Sequence, residues 1–283
     1  MISKKTLIFA TGLMLSAIGL TACGNNENAQ DSQTSSIEQI KKNDVIRIAV
    51  FADNPPFGYV DSQGKNQGFD VAIAKRVAKD LLGDENKIEY VVTEAANRVE
   101  YLKSNKVDMV FASFSVTPER KEVVDFAEPY MKASLGIASP KKNPIHSVAD
   151  LENKTLIVNK GSSSDSYFTK NYPKVKLLKF EQNTDAFNAL KDGRGDAISQ
   201  DSTYALAWAA QNPDYVVDIP QIGNEDFIAP AVRKGNMELL SWLNTEIKQL
   251  RKEGEIQRIY DETLMPLYGN KVDPKIFLDV EGK

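Results

Sequence analysis

The sequence of 283 residues contains a single cysteine, Cys23, and a single histidine, His146. It has no Cys/His spacing suited to a metal, no Ser-His-Asp pattern and no glycine-rich phosphate-binding loop. His146 lies in the segment NPIHSVADL and is predicted to be a surface residue. The net charge of −4 gives no reason to expect a nucleic-acid partner. We therefore expect neither a metal nor a cofactor.

The amino-terminal apolar run is too short to span a membrane. TLIFATGLMLSAIGL covers 15 residues after Lys4 and Lys5, whereas a spanning helix needs about 18 or more. A basic start, a short apolar run and small residues at its end are typical of a secretory signal. A retained transmembrane anchor is the weaker alternative.

Cys23 ends the segment LTAC, which resembles a bacterial lipobox. Cleavage before this cysteine would leave it carrying lipid, including palmitate, and two or more acyl chains would hold the protein stably on the extracytoplasmic side of the cell membrane. The alternative is a chance cysteine beside an ordinary signal-peptidase site. Residues 24–36, GNNENAQDSQTSS, have almost nothing apolar to bury and are predicted to form a flexible tether. The folded part should begin near Ile37.

Strands alternate with helices after the tether, which predicts parallel sheets of the α/β class. The first group of segments is VIRIAVF, GFDVAIAKRVAKDLLG, KIEYVVTE, RVEYLKSN and VDMVFAS. The pattern restarts after residue 140 with TLIVNKG, SSSDSYFTKNY, VKLLKF, NTDAFNALKDG and DAISQD. The sequence therefore predicts two α/β lobes.

Two extended apolar stretches, residues 130–140 and 226–235, flank the second group and are predicted to cross between the lobes. The helical segments that follow them are expected to pack back on the first lobe. We accordingly expect lobe 1 to comprise residues 37–132 and 232–283, and lobe 2 to comprise residues 133–231. Since open α/β sheets bind ligands beyond the carboxyl ends of their strands, the loops that follow the strands should line a cleft between the lobes.

One of these loops continues into FSVTPERKEVVDF, in which Thr117 is a predicted N-cap and Pro118 suits the first helical position. Arg120 then falls in the first turn, where the helix field favours anions. Considered alone, these residues are most simply explained by a solvated surface arginine.

The wider pattern changes that interpretation. The combination of the lipobox, PPFGYVD, GFDVAIAKRVA, VDMVFASFSVTPERK, DFAEPYM and the two crossovers resembles the family 3 solute-binding proteins of amino-acid ABC transporters, from about residue 40 to 270. LLGDENKIEYV, EAANRVEYLKSNKVD and IVNKGSSSDSYF look closest to the cysteine- or cystine-binding branch. The resemblance implies a two-lobed periplasmic-binding-protein-like fold (type II) with two crossover strands as its hinge. It also implies an amino-acid ligand, a membrane permease as partner and a monomeric protein.

The resemblance assigns roles to residues of the first lobe. Arg120 would grip the ligand's α-carboxylate, which suits a planar guanidinium that makes paired hydrogen bonds. The Ser115 hydroxyl would contact the bound amino acid, and the carbonyls of Ala112 or Ser113 would face its ammonium. Ser115 by itself could equally be an ordinary loop serine. Asp70 is predicted to be structural.

In the second lobe, Gly161, Ser162 and Ser163 match a turn that opens a helix, where free N–H groups receive a carboxylate. A plain helix cap would also explain these serines, and both roles can hold together. Asp201 matches the acid that accepts the α-ammonium. Its alternative is a turn-forming aspartate at the end of a strand.

Selection among side chains is assigned to residues near the first loops: Phe51, Asn54, Phe57, Tyr59, Arg98 and Tyr204. Positions that carry a pair of aromatics around the ligand in some relatives are Asn54 and Ala95 here, so that sandwich is missing. Arg98 occupies the place of a second arginine in binders of acidic amino acids, which keeps aspartate and glutamate as alternative ligands; a solvated arginine is its other explanation.

Three functions are open at this point. A transport receptor closes around one amino acid and needs no covalent step. An enzyme on the same scaffold would need a positioned general acid or base, and the chain offers none that we recognise. A surface adhesin that has kept the fold would need an exposed patch that the sequence cannot reveal.

Overall fold

The computed structural model describes residues 36–268 and 275–280. The predicted signal, the lipobox at Cys23 and the tether up to residue 35 lie outside the described residues. A helix, α1 (Ser36–Asn43), begins at the last residue assigned to the tether. Within the described parts of the chain, no helix is both long and apolar enough to cross a membrane.

The first lobe is built on a five-stranded sheet in the order β5-β1-β6-β13-β7. Strands β1, β5 and β6 run parallel, and β13 is antiparallel to both β6 and β7. A small antiparallel sheet, β2-β3-β4, lies after β1. The elements are β1 (Ile46–Val50), β2 (Asp53–Asn54), β3 (Gly58–Val60), β4 (Asn66–Gln67), α2 (Phe69–Leu82), β5 (Ile88–Val92), α3 (Arg98–Lys103), β6 (Met109–Val110), α4 (Pro118–Lys121), β7 (Val124–Phe126) and β13 (Ala231–Arg233).

The second lobe is built on another five-stranded sheet, in the order β10-β9-β11-β8-β12. Strands β10, β9 and β11 on one side of the sheet are parallel, whereas β8 and β12 are antiparallel additions. The elements are β8 (Met131–Pro140), a 3-10 turn (Val148–Leu151), β9 (Thr155–Asn159), α5 (Ser163–Asn171), β10 (Lys176–Phe180), α6 (Asn183–Lys191), β11 (Ala197–Asp201), α7 (Ser202–Gln211) and β12 (Tyr215–Ile228).

The crossovers are the paired strands β8 and β12, whose register runs from Met131 opposite Ile228 to Pro140 opposite Tyr215. They join the two sheets side by side, as the predicted hinge requires. The strands that the sequence predicted as parallel, β1, β5 and β6 in one sheet and β9, β10 and β11 in the other, are parallel as expected. Strands β8, β12 and β13 add antiparallel pairs to them. The exact lobe boundaries stay a prediction.

Helix α2 shows how the sequence sets a boundary. Its apolar residues recur at helical spacing, and Val71, Ile73 and Val77 among them are fully buried, because the helix packs against both β1 and one of the carboxyl-terminal helices. The helix ends at Gly83, which has φ 78° and donates its N–H to the Lys79 carbonyl. Glycine adopts this left-handed conformation without the steric cost that other residues meet. The glycine stop predicted from the sequence is therefore the observed C-cap.

The carboxyl-terminal helices are divided between the lobes. Helices α8 (Met237–Lys252) and α9 (Glu255–Thr263) contact elements of the first lobe, as expected. The short helix α10 (Met265–Tyr268) contacts both α9 and, in the second lobe, α7, and the Tyr268 hydroxyl donates to the Thr203 carbonyl at 2.6 Å. A further short helix, α11 (Lys275–Leu278), lies against β8. The expectation that this whole end of the chain packs on lobe 1 was therefore too simple.

Candidate functional site

A small polar cavity lies between the two lobes, at the carboxyl ends of the strands where the sequence predicted a cleft. The volume within it that the centre of a water molecule can reach is about 30 Å³. Hydroxyl, amide and charged side chains dominate its wall, together with two aromatic rings. The residues that line it are Phe51, Asn54, Ala95, Arg98, Ser113, Ser115, Asn159, Ser162, Ser163, Ser164, Asn183, Gln200, Asp201 and Tyr204.

Arg120 is not among the lining residues, but its guanidinium contacts two of them, Ser115 and Ser163. The Thr117 hydroxyl accepts from the Arg120 N–H at 3.3 Å, so the predicted cap is present, although α4 lasts only four residues. The guanidinium bridges the lobes: Nη1 donates to the Ser115 carbonyl (2.7 Å) and to Ser163 Oγ (3.2 Å), and Nη2 donates to the Gly161 carbonyl (3.1 Å). Burial lowers the pKa of Arg120 to about 10, which leaves it cationic at neutral pH.

Asp201 supplies the opposite charge. It ends β11 and occupies the N-cap position of α7, but its side chain makes no capping hydrogen bond. In the described part of the chain we find no hydrogen-bond donor to this carboxylate. Burial raises the pKa of Asp201 to about 6, while the nearby Arg98 and Arg120 act in the opposite direction. The carboxylate therefore faces the cavity as an acceptor that the protein has not satisfied.

Arg98 is buried, with 3% of its surface exposed, so it is not a solvated arginine. Its Nε donates to the Ala95 carbonyl at 3.0 Å, and Nη1 donates to the carbonyls of Ala112 (2.9 Å) and Ser113 (3.1 Å). The guanidinium carbon lies 4.5 Å from the centre of the Phe114 ring. Burial lowers the pKa of Arg98, and the neighbouring Arg120 adds to that effect.

These bonds revise one expectation. The carbonyls of Ala112 and Ser113, expected to face a ligand's ammonium, already accept from Arg98, and Ala112 does not line the cavity. Arg98 uses two of its three nitrogens on the backbone of its own lobe. Its geometry is that of a residue that shapes the cavity wall.

A chain of donors fixes the orientation of the Asn54 amide. Asp70 is fully buried and accepts from the N–H (2.7 Å) and hydroxyl (2.9 Å) of Ser113 and from the Tyr130 hydroxyl (2.9 Å). Since Ser113 Oγ donates to Asp70, it accepts from Asn54 Nδ2, at 3.3 Å. Asn54 Oδ1 is left buried with no hydrogen-bond partner in the described structure. Desolvation raises the pKa of Asp70, and its three donors oppose that shift.

The turn at residues 161–163 caps a helix, as one of the two explanations predicted. Ser162 Oγ accepts from the Asp165 N–H at 3.1 Å, and the Gly161 N–H donates to Asp165 Oδ2 at 3.0 Å. Ser163 Oγ faces the other lobe and donates to Ser115 Oγ at 2.9 Å. Gly161 has φ 73°, and a Cβ built there would lie 2.7 Å from the Ala96 Cα of the opposite lobe. No side chain larger than hydrogen fits between the lobes at this point.

Some predicted residues do not reach the cavity. Phe57 is buried and packs edge-on against the Tyr204 ring at 6.4 Å, and Tyr59 lies on β3 outside the lining. Phe51 and Tyr204 do line the cavity.

Four lining residues were missed by the sequence analysis: Ser164 and three side-chain amides. Asn159, Asn183 and Gln200 are buried amides from the second lobe. Asn159 is the last residue of β9, Asn183 the first of α6, and Gln200 directly precedes Asp201. The positions of Asn159 and Gln200 at strand ends, and of Asn183 shortly after β10, were the available signal, because amides have no charge to attract notice.

The single histidine is not part of this site. His146 has an exposed side chain, and its Nδ1 lies 2.9 Å from Asp218 Oδ2. Across residues 36–268 and 275–280, no group of three or more His, Cys, Asp or Glu side chains is arranged to hold a metal ion.

Comparison with known proteins gives concordant matches. The model of the bacterial extracellular solute-binding proteins, family 3, matches residues 46–265. A solved solute receptor for L-cysteine from Neisseria gonorrhoeae is 57% identical, with a TM-score of 0.85 over 86% of this chain and 98% of that one. The cysteine-binding protein of Campylobacter jejuni is 53% identical, with a TM-score of 0.85 and the same coverage of both chains. The ABC transporter glutamine-binding protein GlnH of Bacillus subtilis is 33% identical, over 91% of this chain and 96% of its own.

Proposed function

The chain belongs to the bacterial extracellular solute-binding proteins of family 3, and on that premise we propose that it captures a small polar amino acid and delivers it to the permease of an ABC transporter. The observation that carries this proposal is that a cationic Arg120 bonds to lining residues of both lobes, Ser115 and Ser163, while Asp201, in the wall of the same cavity, has no hydrogen-bond donor among the described residues. An α-amino acid is the small molecule that presents a carboxylate and an ammonium together.

Each charged group has a matching part of the ligand. The α-carboxylate would take the place of the Ser115, Gly161 and Ser163 oxygens at the guanidinium of Arg120. The ammonium would bind the carboxylate of Asp201, whose buried charge needs a counter-charge. Because these groups come from both lobes, ligand binding favours the closed cleft.

Among the amino acids, we propose L-cysteine as the ligand. Both highly similar structures are described as binding it. The cavity is small, which disfavours long side chains, and cystine would need more of the cleft. Asn54 Oδ1 offers an unused buried acceptor for a weak donor such as a thiol. The side-chain carboxylate of aspartate or glutamate would have to bind Nη2 of Arg98, because Nε and Nη1 already donate to backbone carbonyls.

The proposed localisation rests on the amino-terminal signal sequence. We propose that residues 1–23 are a lipoprotein signal and that lipidated Cys23 tethers the monomeric protein to the outer face of the cell membrane. Metabolic labelling with palmitate and membrane fractionation test this. Cys23→Ser should abolish the label and move the protein to the soluble extracytoplasmic fraction, while a protein that stays labelled or membrane-bound contradicts the proposal.

A catalytic role has no comparable support. A general base would have to be one of the groups in the cavity, and Asp201 is already required for the ammonium. His146 lies on the surface with Asp218. Adhesion would be an additional property of the outer surface and would not depend on the cavity.

Thermal unfolding of the full-length protein in detergent tests the function. Each of the twenty amino acids, and cystine, is added at millimolar concentration after denaturation and refolding to remove carried-over ligand. A ligand at 100 times its dissociation constant adds about 2.7 kcal/mol, which corresponds to a shift of several degrees.

L-cysteine is expected to raise the midpoint most, and Arg120→Ala should remove the shift. Arg194→Ala is the control: it removes an exposed positive charge of the second lobe, and the shift of the unfolding midpoint with L-cysteine should remain. A shift only with aspartate or glutamate would replace cysteine by the acidic ligands, and no shift with any amino acid would reject the transport proposal. Turnover of a ligand would indicate an enzyme, and adhesion that survives Arg120→Ala would indicate a separate surface function.

A further inference from the structure

Helix α6 begins at the edge of the cleft without a cap of its own. Its N-cap residue, Gln182, makes no side-chain hydrogen bond to the first turn. The N–H groups of a first turn need acceptors from elsewhere. Here the acceptor comes from the other lobe: Asp53 Oδ2 accepts from the Thr184 N–H at 3.1 Å, and Asp53 Oδ1 accepts from Asn183 Nδ2 at 3.0 Å.

We propose that Asp53 is a positioning residue that latches the closed cleft by capping α6 from the opposite lobe. The inference rests on the proposed function, because it concerns the closed state in which an amino acid is held. Asp53 lies on β2, which pairs with β3 in the first lobe. The cap therefore exists only while the lobes are together.

A second contact holds the same residue. The Tyr204 hydroxyl, from the second lobe, donates to the Asp53 carbonyl at 3.4 Å. The Tyr204 ring also packs edge-on against Phe187 of α6, with the ring centres 5.0 Å apart. Side chain and backbone of Asp53 are thus both engaged by the second lobe.

The latch is connected to the ligand cavity through side-chain amides. A carboxylate can only accept, so Asn183 must turn its nitrogen to Asp53 and its oxygen to Gln200. Gln200 Nε2 donates to that oxygen at 3.4 Å and also to Asn159 Oδ1. All three amides are buried and line the cavity. Closure through Asp53 therefore also sets the direction in which these amides face a bound side chain.

Loss of the latch should change how long the ligand stays rather than how fast it arrives. In the open cleft, water can satisfy both Asp53 and the end of α6, so the association step is little affected. An N-cap substitution typically has an effect equivalent to about fivefold in an equilibrium constant. We expect Asp53→Ala to raise koff for L-cysteine about fivefold, to leave kon within about twofold and to leave the unfolding midpoint of the ligand-free protein nearly unchanged.

The experiment uses full-length protein, stopped-flow fluorescence with L-cysteine in reducing buffer, and hydrogen exchange of residues 183–186 both with saturating L-cysteine, which holds the lobes together, and without ligand. Asp185→Ala is the matched control, because it removes an exposed carboxylate from the same first turn and makes no contact with Asp53. The latch is supported when koff rises and the Thr184 N–H exchanges faster in Asp53→Ala but not in Asp185→Ala.

Equal effects of the two variants, or no effect of Asp53→Ala, overturn the latch. If the wild-type protein binds no amino acid, the proposed function fails by itself. The exchange of Thr184 then still decides the latch: faster exchange in Asp53→Ala alone supports it, and equal exchange rejects it.

Discussion

Replacing Asp201 by asparagine should make the ligand-free protein more stable and weaken its affinity for the amino acid. Burial raises the pKa of this carboxyl from 3.8 to about 6. A raised pKa means that the folded protein disfavours the ionised form relative to the unfolded chain. Above pH 6 the charge therefore lowers the free energy of unfolding, and that loss disappears as the pH falls from about 6 to 3.8.

The size of the effect follows from the shift. About two pKa units correspond to roughly 3 kcal/mol, since each unit is about 1.36 kcal/mol. The attraction of Arg98 and Arg120 is already included, because both oppose the shift. Asparagine has nearly the same shape without the charge, so Asp201→Asn should stabilise the protein by up to about 3 kcal/mol at pH 7.5. The gain should vanish near pH 4.

Binding should move in the other direction. The variant loses the charged acceptor of the ammonium, which should weaken affinity by about 10- to 100-fold. In the wild-type protein, about one tenth of Asp201 is ionised one pH unit below its pKa. Affinity at pH 5 should therefore be about tenfold weaker than at pH 7.5, and Asp201→Asn should show no such dependence.

Urea unfolding and isothermal titration calorimetry at pH 7.5, 6 and 5 measure both quantities. Asp214→Asn, at an exposed position of the second lobe, is the control for loss of one negative charge. The reasoning would be refuted if Asp201→Asn were no more stable than wild type at pH 7.5, or if it bound the ligand with unchanged affinity.

Three further substitutions test other parts of the site. Arg120→Lys keeps the charge but cannot make the paired hydrogen bonds, so titration calorimetry should show affinity reduced by about 10- to 100-fold, and unchanged affinity would remove the residue from the carboxylate site. Gly161→Ala should prevent full closure and weaken binding at least about tenfold, whereas Gly193→Ala, with a similar φ and open space around it, should not; equal losses in both would point to backbone strain alone. Asp70→Asn leaves buried donors unpaired and should lower the free energy of unfolding by about 2–4 kcal/mol in urea, and a near-neutral result would contradict its structural role.

Much of the architecture could be predicted because local signals agreed with one another. The strand at β1, the glycine stop of α2 and the cap at Thr117 are each set by residues close in sequence. Helix α7 was missed, since the segment STYALAWAAQ is apolar on nearly every side and shows little helical periodicity. Its buried position between sheet and tail explains that composition.

The residues of the site also divide into those that could be predicted from the sequence and those that could not. The roles of Arg120 and Asp201 could be proposed from the sequence only through the family resemblance, since taken alone they are explained by a surface arginine and a turn-forming aspartate. What Arg98 contacts could not be predicted, because a side chain's partners depend on how loops distant in sequence fold together. The roles of Asn159 and Asn183 in the cavity wall, and of Asp53 as a cap, likewise arise from contact between the two lobes. No local sequence pattern predicts such a contact.

The bonds of Arg120 have a consequence for how the receptor works. Its Nη groups are engaged with the oxygens of Ser115, Gly161 and Ser163. An arriving carboxylate therefore exchanges one set of acceptors for another, and its net gain is smaller than the bonds it forms. The protein competes with its own cargo for the same arginine. This competition lowers affinity and favours release of the amino acid, because the guanidinium can then bond again to the Ser115, Gly161 and Ser163 oxygens that are already in place.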